Sequence, residues 1–226
     1  MSITSSSRAT ARACGCTALA AVALAATACA SASRQEKGAV IGTVAGATVG
    51  SIIGNNTGST ARGAIIGAVV GGTAGAVIGH QMDQQAKELK FEIPGAIVER
   101  VGEGIQVTFA SGILYDFDSD LIRPEAGLNL ETLATSLKKY PNTQLLIVGH
   151  TDALGTSAYN QDLSARRASS ASRYLTIMGL AASRVQTSGR GESEPLAANG
   201  TEAGRQLNRR IEVAIFAGES ARTAAR

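Results

Sequence analysis

Residues 96–217 predict an α/β (α+β) sandwich, a mixed β-sheet with helices on one face, and three observations carry this reading. Apolar residues alternate in Ile105-Gln-Val-Thr-Phe109 and in Ile211-Glu-Val-Ala-Ile215, as half-buried strands require. Two longer stretches, one opened by Pro124 and one by Thr156 or Ser157, repeat their apolar residues at helical spacing instead. Leu145-Leu-Ile-Val148 is a continuous apolar run and reads as a buried strand.

The elements follow in order. His80 to Lys90 is polar and reads as a short helix or linker, within a linker at 80–95. Ala96 to Val101 and Ile105 to Phe109 form a hairpin around Gly102-Glu-Gly104, and Ile113 to Phe117 predicts another strand. Pro124 starts a helix whose Leu130, Leu133 and Leu137 share a face, and Tyr140-Pro141 ends it. After the strand ending near Val148, a helix runs from about Ser157 to Met178 with Gly179 as its stop. A strand near Arg184 to Ser188, a loop with a short helix at Asn199 to Gln206, and a last strand complete the domain before a tail at 218–226.

Polar residues stand at fixed points inside this apolar pattern. They fall in three blocks: Gly149-His-Thr-Asp152, then Asn160-x-x-Leu163-Ser-x-Arg166-Arg167-Ala168, then Gly204-Arg205-x-x-Asn208-Arg209-Arg210. At about 100° per residue, Arg167 falls in one arc with Leu163, Ala168, Ala171, Tyr174, Leu175 and Met178, whereas Arg166 falls outside it. A guanidinium at the core edge must be paired or await a charged ligand. Asp152, at the end of a buried strand, is its natural counterpart. Two readings stand at this point: a structural Asp–Arg ion pair, or a site for a zwitterion.

In their order and spacing, the three blocks resemble the OmpA-like C-terminal domain family, over roughly Ile97 to Phe216. That resemblance implies non-covalent binding of peptidoglycan through the diaminopimelate of its stem peptide. It implies Asp152 and Arg167 as the two signature ligand contacts, with Phe117 and Asp118 matching a Phe-Asp at an early strand end. The chemistry is consistent with this. Diaminopimelate presents an ammonium beside a carboxylate, so Asp152 would take the ammonium and Arg167 the carboxylate through its planar fork. Thr151 and Asn160 offer neutral hydrogen bonds, and Asn160 could equally serve the first turn of its own helix. Arg210 precedes the last strand on the side opposite its apolar residues and either lines the site or is solvated or helix-paired.

The chain of 226 residues also carries an export region. Arg8 and Arg12, the uncharged run Thr17 to Ala28, and Ala26-Thr-Ala28-Cys29 resemble a bacterial lipoprotein signal peptide at 1–28, with Cys29 acylated after cleavage and 29–37 as linker. Ala26 stands where such signals carry leucine, and Ala30-Ser-Ala32 offers an ordinary cleavage site, so two processing routes are open. Cys14 and Cys16 leave with the signal in either case, so the exported chain can form no internal disulfide. By resemblance, Ala30 in place of an inner-membrane retention aspartate implies sorting to the outer membrane, lipid-anchored and facing the periplasm. Removing Arg8 and Arg12 from 21 basic residues leaves 19 against 18 acidic ones, a balance that gives no electrostatic case for nucleic acid.

Between these regions lies a glycine ladder at 38–79. Glycines recur every fourth residue from Gly38 to Gly54 and again from Gly63 to Gly79, separated by Asn55-Asn-Thr-Gly-Ser-Thr60. In a helix such spacing forms one stripe that admits another backbone, so the ladders predict a glycine-zipper helical hairpin and a homo-oligomer built through it. One ladder spans about 25 Å at about 1.5 Å per residue, which leaves both a membrane-embedded and a soluble self-associating form open. This arrangement with an OmpA-like domain resembles small outer-membrane lipoproteins.

Catalysis is disfavoured. A Ser157–His150–Asp152 site can be drawn, but no strained nucleophile elbow accompanies it, and His150 with Asp152 is too few for a metal. The sequence therefore predicts a non-enzymatic, cofactor-free binder of peptidoglycan that tethers the outer membrane to the wall. The alternative is an oligomeric envelope protein that acts through its zipper without binding the wall.

Overall fold

A computed structural model describes residues 58–68, 72–219 and 221. The expected signal peptide, Cys29, the 29–37 linker and the first glycine ladder lie outside the described residues. The helices are α1 (Thr60–Gly67), α2 (Gly72–Glu92), α3 (Ser111–Leu114), α4 (Gly127–Lys139), α5 (Ser157–Ile177) and α6 (Glu202–Asn208). The strands are β1 (Ile97–Val101), β2 (Gly104–Ala110), β3 (Thr143–His150), β4 (Val185–Gly189) and β5 (Arg210–Ala217). They form one mixed sheet in the order β1-β2-β5-β3-β4, with only β3 and β4 parallel.

Strand parity sorts two layers. Ile105, Val107, Phe109, Leu145, Ile147, Ile211, Val213 and Ile215 face the main core, where Leu130, Leu133 and Leu137 of α4 and Ala168, Ala171 and Leu175 of α5 meet them. This is the expected helical layer on one face. Helix α2 joins it through Met82, Ala86 and Leu89, so the segment expected to be a linker at 80–95 is part of the folded unit. Its Gln85 is fully buried and donates to Ser136 Oγ on α4 at 3.1 Å.

The second ladder does not form one helix. It is divided between α1 and α2, and α1 lies on the other face of the sheet, with Ala61, Ala64, Ile65 and Ala68 against Leu146, Val148, Ala214 and Phe216. The sheet thus carries a helix on its second face as well, and every residue of β5 is buried. Among the described residues no helix is long and apolar enough to cross a membrane.

The predicted strand at Ile113 to Phe117 is instead the single turn α3 followed by an isolated bridge, Tyr115 to Ile122. Tertiary anchors override its strand-like composition. Ser111 N donates to Arg209 O, Arg123 N donates to Leu114 O, and the Tyr115 hydroxyl donates to Arg167 O at 2.7 Å.

Beneath α1, Arg210 and Glu212 form a buried pair at 2.8 Å, and His150 Nε2 stands 3.7 Å from the same carboxylate. Burial alone would raise the Glu212 pKa; the neighbouring His150 and Arg210 bring it down to about 2. His150 lies beyond hydrogen-bond reach of Glu212, so Arg210 makes the direct contact. Burial pushes His150 below its ordinary 6.5. Both shifts favour the folded state at higher pH. The melting temperature should decline once pH falls below 6.5, as the unfolded imidazole binds its proton first, and decline most steeply between 4.5 and 2. Glu212→Gln should flatten the lower limb; an unchanged limb in that variant would show that another carboxylate governs it.

Candidate functional site

Two glycines set the distance between strand and helix. A Cβ on Gly149 would stand 2.1 Å from Ser164 O, and one on Gly189 would stand 2.6 Å from Ala165 N. Only glycine lets β3 and β4 approach the α5 backbone this closely. The consequence is that the end of β3 is delivered against the first turns of α5, where Thr156 caps the helix by accepting from Tyr159 N.

Asp152, Thr151, Asn160, Arg167, Phe117 and Asp118 then line one cleft of about 360 Å³. Arg167 is buried, as its place in the helical arc requires. Its guanidinium lies 5.2 Å from the Tyr115 ring centroid and donates to Ser119 O at 2.8 Å, Ser111 Oγ at 3.0 Å and Asp116 O at 3.3 Å. Burial lowers its pKa, which still leaves it charged. Three of its five N–H groups are therefore engaged, and one on each terminal nitrogen is left over.

Asp152 is not paired to Arg167. Its Oδ2 accepts from Arg209 Nη1 at 2.6 Å and its Oδ1 from Leu154 N at 3.0 Å. Arg209 bridges onward to Glu202 Oε1 at 2.6 Å, a bond that raises the Arg209 pKa. The third sequence block explains this placement. Asn208 is fully buried, accepts from Leu196 N and Ala197 N, and donates to Asn199 Oδ1. A Cβ on Gly204 would stand 2.0 Å from Ala198 O. Both residues fix the loop that presents Arg209 to Asp152.

Thr151 Oγ1 is buried and has no hydrogen-bond partner among the described residues. Asn160 is a positioning residue: its Nδ2 donates to Asp152 O at 3.2 Å and to Glu192 Oε2 at 2.7 Å. Asp118 adopts a left-handed backbone, φ 57, which aspartate tolerates better than most residues, and its carboxylate accepts from the Tyr159 hydroxyl. Phe117 is 95 % exposed at the rim.

Arg210, expected as a candidate site residue, is on the opposite face of the sheet with Glu212 and does not line the cleft. The sequence reading missed Arg209 beside it, and also Tyr159, Leu154, Gly155 and Leu163. Tyr159 was detectable as an aromatic one turn into α5 on the side away from the core. The Ser157–His150–Asp152 arrangement is not assembled, because Ser157 is exposed and His150 points into the buried cluster under α1. A larger groove of about 570 Å³, lined by Val77, Ile78, Met82 and Tyr140, has Lys139 as its charged member, already paired with Glu88.

Arg166 behaves as its position outside the arc implies: it is partly exposed and pairs with Asp162 and, at 3.7 Å, with Asp120. Arg166→Ala should leave ligand affinity within about fivefold, since exposed pairs are worth about 1 kcal/mol or less. A large loss in a binding assay would contradict the orientation of α5.

The mixed-sheet domain thus brings a buried guanidinium and a buried carboxylate to one cleft. Residues 114–209 match the OmpA family, and residues 10–83 match the YMGG-like Gly-zipper. The probable lipoprotein YiaD of Escherichia coli (strain K12) is 32 % identical over 186 residues, 81 % of this chain and 84 % of that protein. The peptidoglycan-associated lipoprotein of Agrobacterium fabrum is 34 % identical over 116 residues, covering 51 % of this chain and 66 % of that one. The solved cell wall anchor of the T6SS from Pseudomonas aeruginosa superposes with a TM-score of 0.52 at 30 % identity, over 60 % of this chain and 96 % of that one. The chain spans well under two thirds of the length of several curated relatives, 32 % and 57 % in two of them. The chain belongs to the OmpA family. It is a lipoprotein of the outer membrane, facing the periplasm.

Proposed function

We propose that the cleft binds peptidoglycan non-covalently through the diaminopimelate of the stem peptide and so tethers the outer membrane to the wall. The observation that carries this reading is the content of one cleft: a fixed guanidinium with spare donors, a carboxylate, and the unpartnered Thr151 hydroxyl. The ligand carboxylate sits on the two free N–H groups of Arg167 and its ammonium on Asp152, which Arg209 and Leu154 N hold in place. Thr151 Oγ1 supplies a neutral hydrogen bond to the same zwitterion. The name of the Agrobacterium fabrum relative, peptidoglycan-associated lipoprotein, is consistent with it. No step of bond making is involved.

The test is co-sedimentation of the full-length, detergent-solubilised protein with isolated sacculi, in competition with free diaminopimelate and with lysine blocked at both α groups (Nα-acetyl-lysine amide). Displacement by diaminopimelate and not by the blocked lysine is expected, because the blocked lysine carries an ammonium with no carboxylate beside it. Absence of sacculus binding would favour the zipper-driven envelope protein instead, and release of soluble fragments would mean an enzyme.

Cys29 is proposed as the acylated residue. Cys29→Ser should abolish fatty-acid labelling and shift the protein out of the outer-membrane fraction. Retained labelling, or a mature N-terminus after Ala32, would overturn this assignment.

A further inference from the structure

We propose that α1 is a releasable strap: it leaves the second face of the sheet while the rest of the domain stays folded, lengthening the tether between the N-terminal anchor and the cleft. This rests on the wall-tethering reading above.

The first support is how little holds α1. It is eight residues long and contains Gly63 and Gly67, and a helix of that length has no independent stability. Its apolar seat is four side chains, of which Ile65 alone is large; Ile65 fills the hollow left by Gly104, where a Cβ would stand 2.5 Å from Ile65 Cγ2. Polar fasteners sit at and near its N-terminal end, among them Arg62, which reaches Glu99 at 2.8 Å and Gln106 Oε1 at 3.0 Å. Ser59 Oγ donates to Glu212 at 2.8 Å, Thr60 N to Glu194 at 3.0 Å, and Arg190 Nε to Thr60 Oγ1 at 2.7 Å.

The second support is what lies underneath. The main core contains no residue of α1, so it survives the departure of that helix. The covered face mixes Leu146, Val148, Ala214 and Phe216 with the buried Arg210, Glu212 and His150. Both ring nitrogens of His150 lack a hydrogen-bond partner there among the described residues. Release of α1 hydrates these groups, which offsets the exposure of the apolar ones. A face built only to stay buried gains nothing from such groups.

The third support is direction. Every residue preceding Ser59, including the proposed acylated Cys29, joins the domain through α1, whereas α2 is locked into the main core by Met82 and Leu89. Tension from the membrane side therefore meets the polar fasteners first and peeling stops at α2. Residues 59–68 release up to about 34 Å of extended chain at roughly 3.4 Å per residue.

The experiment compares two cysteine variants of the full-length protein in detergent, Ala214→Cys under α1 and Ala168→Cys in the main core, labelled with a maleimide and read by peptide mass spectrometry. Residue 214 should label at least tenfold faster than residue 168 without denaturant, and adding Ile65→Ala should speed only the former. Labelled Ala214→Cys protein should still bind sacculi. Equal labelling rates, or acceleration at both positions by Ile65→Ala, would mean that α1 leaves only with global unfolding, and the strap is then refuted. Loss of binding on labelling would equally refute a strap that leaves the cleft intact. Failure of the unlabelled protein to bind sacculi would instead count against the wall-tethering reading, whatever the labelling rates.

Discussion

Asp152→Ala is expected to reduce sacculus binding by roughly 30-fold or more, since removing one partner of a desolvated, hydrogen-bonded charge pair costs about 2–5 kcal/mol. Its effect on folding should be small. The carboxylate makes two contacts, with Leu154 N and Arg209, and Arg209 keeps its bond to the exposed Glu202 when Asp152 is gone. Arg167→Ala should also abolish binding but for a mixed reason. The guanidinium holds Ser119 O, Asp116 O and Ser111 Oγ, so its loss frees the segment that carries Phe117 and Asp118. Arg167→Lys separates the two roles: it keeps the charge and loses the planar fork, so affinity should fall while most of the stability returns. The measurement is sacculus affinity beside thermal melting for each variant. Wild-type binding by a folded Asp152→Ala protein would remove Asp152 from the ligand site.

The orientation of Arg167 was readable because helical periodicity states which face a residue occupies, and α5 is long and regular. Strand parity is equally reliable about faces but silent about what covers them. It put Arg210 correctly opposite Ile211 and Val213, yet could not show that α1 roofs that side and turns the arginine into a buried ion. The partner of Asp152 was hidden for a related reason. Arg209 lies between α6 and β5, outside any periodic element, and its direction is set by Asn208 and Gly204 through the loop they fix. Asp152 and Arg167 therefore share a cleft without pairing, which rules out the simple structural Asp–Arg bridge that spacing alone allowed.

Other misses trace to tertiary contacts overriding local pattern. Ile113 to Phe117 has a strand-like composition, but Arg209 captures the backbone of the preceding Ser111, Arg123 that of Leu114, and α5 the Tyr115 hydroxyl. The polar surface of α2 suggested a linker because only Met82, Gln85, Ala86 and Leu89 of its C-terminal half are buried, and one of these is itself polar. The fourfold glycine spacing was visible, but spacing specifies a smooth helical stripe and not its partner. In Thr60–Gly67 the small residues seat α1 on a β-sheet. Gly149 shows the same limit from the other side: its place in a polar motif was plain, whereas its reason, the Ser164 carbonyl 2.1 Å from a would-be Cβ, requires both elements.

Arg210→Ala should destabilise the domain by about 3–5 kcal/mol, because it strands Glu212 as an uncompensated buried charge. The pair is enclosed, each side chain being 1 % exposed, and Arg210 also donates to Asn208 O and Glu194 O. Replacing both ions at once changes the outcome. Arg210→Met with Glu212→Leu removes the stranded charge and adds apolar surface beside Val148 and Phe216, so most of the lost stability should return. The recovery should be incomplete by roughly 1 kcal/mol, since Ser59 Oγ then loses its bond to Glu212. Chemical denaturation of the two variants supplies the comparison, and sacculus binding by the folded fraction supplies the control. Arg210 lies across the sheet from the cleft, so that binding should match wild type in both proteins. A double variant no more stable than Arg210→Ala would mean that the pair is required for the architecture of the second face. Normal stability with lost binding would return Arg210 to the ligand site and overturn the division of labour between the two adjacent arginines.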